Sequence, residues 1–170
     1  MVELALPSAI VASGLERSYL AAERELDGDE RDVTSHEAFV ALVQQLMDRR
    51  AGVGLPRGWV AGTTWWLVDG DVYLGQITIR HALTDALRQI GGHIGYGVRP
   101  SRRRQGLGTR MLELSLPHAH ALGIDPAMIT CDADNIGSRK IIERCGGELD
   151  AEYVHDGTAK LRFWIATHTS

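Results

Sequence analysis

Residues Gly92–Met111 read GHIGYGVRPSRRRQGLGTRM, a β-strand, a cationic glycine-bearing turn and the start of an amphipathic helix in close succession. Apolar or aromatic side chains alternate at Ile94, Tyr96 and Val98, and Pro100 ends any inward-facing ladder because it has no N–H. Arg102, Arg103 and Arg104 lead through Gln105 into Gly106, Leu107 and Gly108, and the helix that follows carries Leu107, Met111, Leu112, Leu114 and Leu116 on or near its buried side. Glycine at 106 and 108 removes Cβ atoms where a ligand must approach the backbone, and the first-turn N–H groups have no helical acceptors. A diphosphate suits that environment, since the helix dipole favours negative charge and the arginines add charge-assisted hydrogen bonds. A basic helix start would show the same pattern. The stretch is not a dinucleotide fingerprint, because Met111 stands where G-x-G-x-x-G needs its last glycine, and the Walker A order occurs nowhere in the chain.

The 170-residue chain is 44% apolar, enough for one substantial core, and fits a single domain with a core over about 35–167 and an N-terminal helical segment over 1–34. Two cysteines, Cys131 and Cys145, form no disulfide framework and lack the paired spacing of a zinc site. No metal site is expected, since His118 and His120 sit two apart on a helix and cannot share one ligand direction. The N-terminus has no cationic lead into its apolar residues, and no stretch approaches the length of a membrane helix, so a cytoplasmic protein without membrane partners is expected. The net charge of −4 argues against a broad nucleic-acid surface. Positive charge is local: Arg99, Arg102, Arg103, Arg104 and Arg110 are five of the 18 Lys and Arg residues. The acidic first third, including Glu16, Glu23, Glu25 and Asp27, is a solvated surface or a face that favours a cationic small molecule.

Outward from the central stretch, Leu15–Leu26 reads as a short helix, Gly28–Asp32 as a polar linker, and Thr34 or Ser35 as the cap of a helix with Phe39, Leu42, Val43 and Leu46 in its apolar stripe. Gly62–Val68 and Val72–Arg80 read as a strand pair joined at Asp69-Gly70-Asp71, and Leu83–Ile90 as a short helix before the strand Gly92–Val98. Pro117 should kink the helix from Gly106 or limit it to Thr109–Leu116. A strand at Ala127–Cys131, a helix at about Ile136–Cys145 and two strands, Glu148–His155 and Leu161–Thr167, complete the chain. The order implies an α/β fold with a mixed, mostly antiparallel sheet and flanking helices. An unsatisfied edge after Leu161–Thr167 could be covered by a partner subunit, giving a homodimer.

Two motifs in this order resemble the GNAT superfamily of acyl-CoA-dependent N-acyltransferases. Arg103-Arg104-Gln105-Gly106-Leu107-Gly108 is similar to the family's cofactor signature, and Asp134-Asn135-Ile136-Gly137-Ser138 through Cys145-Gly146-Gly147 to its second signature. The resemblance spans roughly Trp65 to Ile165 and implies a single-domain GNAT-like fold with central strands splayed apart, here His93–Val98 and Met128–Asp132. It implies acetyl-CoA as cofactor. By this resemblance the backbone of Val98 and Arg99 pairs with the pantetheine arm, the N–H groups from Arg103, Arg104, Gln105, Gly106, Leu107, Gly108 and Thr109 hold the pyrophosphate, and Asn135 and Ser138 lie beside the cofactor arm. Many members carry a tyrosine seven residues after the asparagine to protonate the departing thiolate; here that position is Ile142.

The expected reaction is direct transfer of an acetyl group to a primary amine, that of a small molecule such as a polyamine, an aminoglycoside-type amine or an amino acid, or else of a protein N-terminus, with the oxyanion held by the Val98 N–H. His93, Asp134 and Ser138 are the candidate catalytic side chains, with Tyr96 and His81 as further candidate bases. His93 shares a sheet face with Gly95 and Gly97 and reads equally as a packed, hydrogen-bonded histidine. Tyr96 has the opposite parity and reads as a core residue. Of Trp59, Trp65 and Trp66, which could line a substrate cleft, the adjacent pair must face opposite sides of a strand. A non-catalytic acyl-CoA-binding or sensor domain is the alternative, raised by Ile142.

Overall fold

The computed structural model describes residues 1–7, 14–26 and 33–168, so the linker expected at Gly28–Asp32 lies outside the described residues. The elements run β1 (Val2–Ala5), α1 (Glu16–Glu23), α2 (His36–Ala51), β2 (Gly62–Asp69), β3 (Val72–Arg80), α3 (Asp85–Gln89), β4 (Ile94–Val98), a 3-10 turn at Pro100–Arg102, α4 (Leu107–Ala121), β5 (Ala127–Asp132), α5 (Ile136–Arg144), β6 (Glu148–His155) and β7 (Thr158–Ile165).

Strands β1-β2-β3-β4 form one antiparallel sheet and β5-β7-β6 a second. The sheets meet beside His93, whose N–H donates to the Met128 carbonyl at 2.7 Å while its Nδ1 accepts the Met128 N–H at 2.9 Å. Past that point β4 and β5 share no ladder, so the expected splay of the central strands is present.

Alternation along β2 decides how the layers pack. Trp65 and Leu67 face one core with Ile77, Met111 and Phe163, whereas Trp66 and Val68 face another with Tyr19, Phe39 and Tyr73. Helices α1 and α2 therefore cover one face of the first sheet and α4 the other. Both strand tryptophans are core residues, Trp65 stacked on His118 at 4.8 Å and Trp66 on Tyr19 at 4.7 Å; Trp59 is exposed, with the Arg49 guanidinium 5.0 Å from its ring centre.

Three expectations change and one open choice is settled. Val2–Ala5 is a strand paired to β2 in place of helix, its alternation too short to register without its partner. Of the two caps offered for helix α2, Ser35 serves, its Oγ accepting the Ala38 N–H at 3.2 Å. Helix α4 runs unbroken through Pro117, which sits on the exposed side with Glu113 four residues back, so the carbonyl it deprives of a partner is not sealed in the core. Strand β7 begins at Thr158, after an Asp156-Gly157 turn with both φ positive (48° and 78°), and lies between β5 and β6. The edges of that sheet are β5, which borders the splay, and β6, and the strand that includes Leu161 is interior.

Candidate active site

The register of β4 aims its backbone into the splay. Arg80 N–H donates to His93 at 2.7 Å and Arg99 N–H to Leu74 at 2.9 Å, so odd-numbered residues bond to β3 while the N–H and C=O of Tyr96 and Val98 point toward the β5 side. Arg103 Nε donates to the Val98 carbonyl at 3.3 Å.

Gly106 caps α4 with φ 76° and no side chain, and the first bond of the helix is Arg110 N–H to the Gly106 carbonyl at 3.0 Å. The N–H groups of Leu107, Gly108 and Thr109 therefore have no acceptor among the described residues. They open on a cavity of about 590 Å³ that Arg102, Arg103 and Arg104 border on one side and Gly137, Lys140 and Ile141 on the other. Gly108 allows this closeness, since a Cβ there would lie 2.6 Å from Ile141 Cδ1. An elongated, diphosphate-bearing cofactor fits this donor set.

A second cavity, of about 290 Å³, lies between β4 and β5 and is bordered by Arg80, Gly91, Gly95, Thr130, Cys131 and Lys160. Tyr96, Asn135 and Ser138 line both cavities. Tyr96 Oη lies 2.9 Å from Ser138 Oγ and donates toward the Ser138 carbonyl at 3.4 Å. Burial pushes the Tyr96 phenol up to about 12, against the opposing pull of the Ser138 hydrogen bond. Asn135 Oδ1 accepts the Ser138 N–H at 3.0 Å as the cap of α5, which fixes the serine at the junction. Burial also pushes the Cys131 thiol up, so it stays protonated at neutral pH. Ile142 is fully buried in the same core cluster as Met111 and Phe163 and lines neither cavity.

Of the residues singled out in sequence, Val98, Arg103, Arg104, Gly106, Leu107, Gly108, Thr109, Asn135 and Ser138 gather around the larger cavity. Arg99, Gln105, His93 and Asp134 line neither cavity. Arg99 turns to α1: its Nη2 and Nε reach Glu25 Oε1 at 2.6 and 2.7 Å, and its amide is spent on Leu74. Burial alone would raise the Glu25 carboxyl, but Arg99 and the Ser101 N–H, at 2.9 Å from Oε2, bring it down to about 2. The His93 ring is committed to Met128, and burial, then Arg88 and Arg80, lower its pKa. His81 Nε2 is paired with Thr63 Oγ1 at 2.9 Å. Sequence reading assigned Tyr96 to the core; its ring does pack there, but its hydroxyl reaches the junction. Arg80 and Lys140 carried no motif at all.

A split sheet with a helix start of free N–H groups on one side and a small polar cavity on the other is an arrangement suited to group transfer. The chain belongs to the GNAT acetyltransferase family: residues 20–148 match the acetyltransferase (GNAT) domain. Among solved structures it is similar to RimL, a ribosomal L7/L12 α-N-protein acetyltransferase in complex with coenzyme A (20% identity, 98% of this chain and 96% of that one, TM-score 0.62). It is similar too to the microcin C7 self-immunity acetyltransferase MccE in complex with acetyl-CoA and AMP (14%, 97% and 92%, TM-score 0.62). A variant of the Vibrio cholerae spermidine N-acetyltransferase SpeG shares the fold at 13% identity (98% and 95%, TM-score 0.59). No curated protein sequence matches. No helix among the described residues is long and apolar enough to cross a membrane.

Proposed function

We propose that this protein transfers the acetyl group of acetyl-CoA directly to the primary amine of a small molecule. The observation that carries this reading is the junction itself: Tyr96, Asn135 and Ser138 are shared by a cofactor-sized cavity and a smaller one. Bound in the larger cavity, acetyl-CoA supplies an activated acetyl group. The free N–H groups of Leu107, Gly108 and Thr109, with Arg103 and Arg104, bind the diphosphate, and Lys140 faces them from α5. The Val98 N–H, aimed into the splay, stabilises oxyanion charge as it develops.

Tyr96 and Ser138 hold the proton that the leaving thiolate needs. This replaces the side-chain acid that Ile142 cannot supply, and the raised pKa of Tyr96 keeps it protonated. Neither His93 nor Asp134 lines either of these two cavities, so on this reading the amine proton leaves through water from the acceptor side. Both cysteines are free thiols, in keeping with a cytoplasmic enzyme.

The test is the melting temperature with and without acetyl-CoA, together with release of free CoA thiol in the presence of a panel of amines. Thermal protection with amine-dependent thiol release supports transfer. Protection without turnover on any amine supports the acyl-CoA-binding alternative, and no protection at millimolar acetyl-CoA removes both.

A further inference from the structure

We propose that the acceptor is a small primary amine that itself carries an anionic group, a carboxylate or a phosphate, and that Arg80 receives this group in the smaller cavity. The inference rests on the acetyl-transfer reading of the Tyr96–Ser138 junction and assigns what lies opposite it.

Arg80 ends β3 half-buried and forms no ion pair among the described residues. Its Nη1 donates to the carbonyls of Gly91 and Gly92, both at 3.1 Å, whereas Nε and Nη2 have no protein acceptor among those residues. Two glycines lie against the guanidinium: a Cβ on Gly91 would sit 3.4 Å from Nη1, and one on Gly95 3.6 Å from Nη1 and Nη2, both at van der Waals contact. The Gly91 peptide is pinned from the other side, its N–H donating to Thr130 Oγ1 at 2.8 Å. The fork is thus oriented before any ligand arrives, which lowers the ordering cost of binding.

The charges around the cavity choose the ligand. Among the described residues Asp132 is the only carboxylate lining it, and Lys160 Nζ donates to Asp132 Oδ1. That pair cancels, and Arg80 is left as an uncompensated cation partly withdrawn from water, a costly arrangement that two carbonyls offset only in part. An anion on the acceptor completes it, preferably through paired N–H···O contacts. A polyamine would instead bring further positive charge against Arg80 with no free carboxylate to receive it. A cavity of about 290 Å³ with Arg80 on its wall and Tyr96 and Ser138 at its junction suits a small molecule whose amine and anion are close together.

The experiment uses acetyl-CoA and matched acceptors: β-alanine against β-alaninamide, O-phosphoethanolamine against ethanolamine, and spermidine. The expected result is a kcat/KM at least tenfold higher for one or both anionic members, expressed mainly in KM, with the leading pair telling carboxylate from phosphate. Arg80→Met should erase that preference, Arg80→Lys should restore part of it, and the KM for acetyl-CoA should stay within twofold in both. Equal rates within both pairs, a lead for spermidine, or an Arg80→Met loss that falls equally on charged and neutral acceptors overturns the proposal. If no acceptor turns over, the CoA-bound protein is titrated with the same molecules while arginine Nε–H resonances are followed. A saturable shift of one resonance with an anionic member alone supports the Arg80 site even as the transfer reading fails; no such shift overturns the proposal. A melting curve for each variant separates loss of the site from loss of the fold.

Discussion

Tyr96 Oη and Ser138 Oγ lie 2.9 Å apart, one hydroxyl projecting from β4 and the other from the first turn of α5, across the opening between the two sheets. If this couple protonates the leaving thiolate, Tyr96→Phe and Ser138→Ala should each lower kcat by about a hundredfold and the double variant by little more, because either change breaks the same proton path. The KM for acetyl-CoA should move less than threefold. Full additivity of the two losses, measured under saturating acceptor, would show independent roles.

The pH dependence should be one-sided. Tyr96 must act protonated, and with its pKa near 12 it remains so through pH 10, so kcat has no descending alkaline limb from this group. The amine must act deprotonated, and with water as the route for its proton, kcat/KM should climb with pH toward the acceptor's own pKa. A plateau reached already in the acid range and common to acceptors of different basicity would instead point to a base with a lowered pKa such as His93.

Two neighbouring arginines should separate stability from affinity. Arg99→Ala strands Glu25 in its half-buried site and should cost about 2–3 kcal/mol of stability, below the figure for a fully buried pair, with little effect on acetyl-CoA affinity. Arg103→Ala should do the reverse, weakening acetyl-CoA about tenfold through one lost charge-assisted bond with a small change in melting temperature. Calorimetry and chemical denaturation on both variants check the contrast.

Glu25 also predicts an acid sensitivity. Its pKa is lowered on folding, from 4.5 to about 2, so its contribution is present in full above pH 4.5 and is lost as pH falls toward 2. On the order of 2 kcal/mol should disappear over that window in the parent protein and be missing from Glu25→Gln at every pH. Urea titrations at pH 6 and pH 3 measure it.

Glycines on either side of the splay should respond differently. A Cβ on Gly92 would meet the Met128 carbonyl oxygen at 2.4 Å, and φ there is 60°, so Gly92→Ala should cost about 2–3 kcal/mol. A Cβ on Gly97 meets nothing within 4 Å, and Gly97→Ala should leave the melting temperature of the free protein unchanged. Thermal melts of the two variants test the difference.

Much of this was legible in the chain because the informative residues are local. The Gly92–Met111 run sets its own strand, turn and helix start, and Asn135 caps the helix that holds Ser138 three positions on. What stayed hidden depends on distant partners. Arg99 and Arg103 look alike in sequence, and only strand parity plus a carboxylate seventy-four positions away sends one to the core and the other to the cleft. Arg80 carries no motif, and its place on the cavity wall depends on the Gly91 and Gly92 carbonyls that hold its guanidinium from eleven and twelve positions away. The same holds for β7, whose central place is set by pairing with both β5 and β6 rather than by its own alternation.

The seam that opens beyond His93 and Met128 leaves the amides of Tyr96 and Val98 without rungs to β5. In isotope exchange these mid-strand positions should therefore behave like loop residues in the free protein, while their odd-numbered neighbours, bonded to β3, stay slow. A donor lying in the seam stands in for the missing strand, and its occupancy can then be read, residue by residue, from how long those two hydrogens persist.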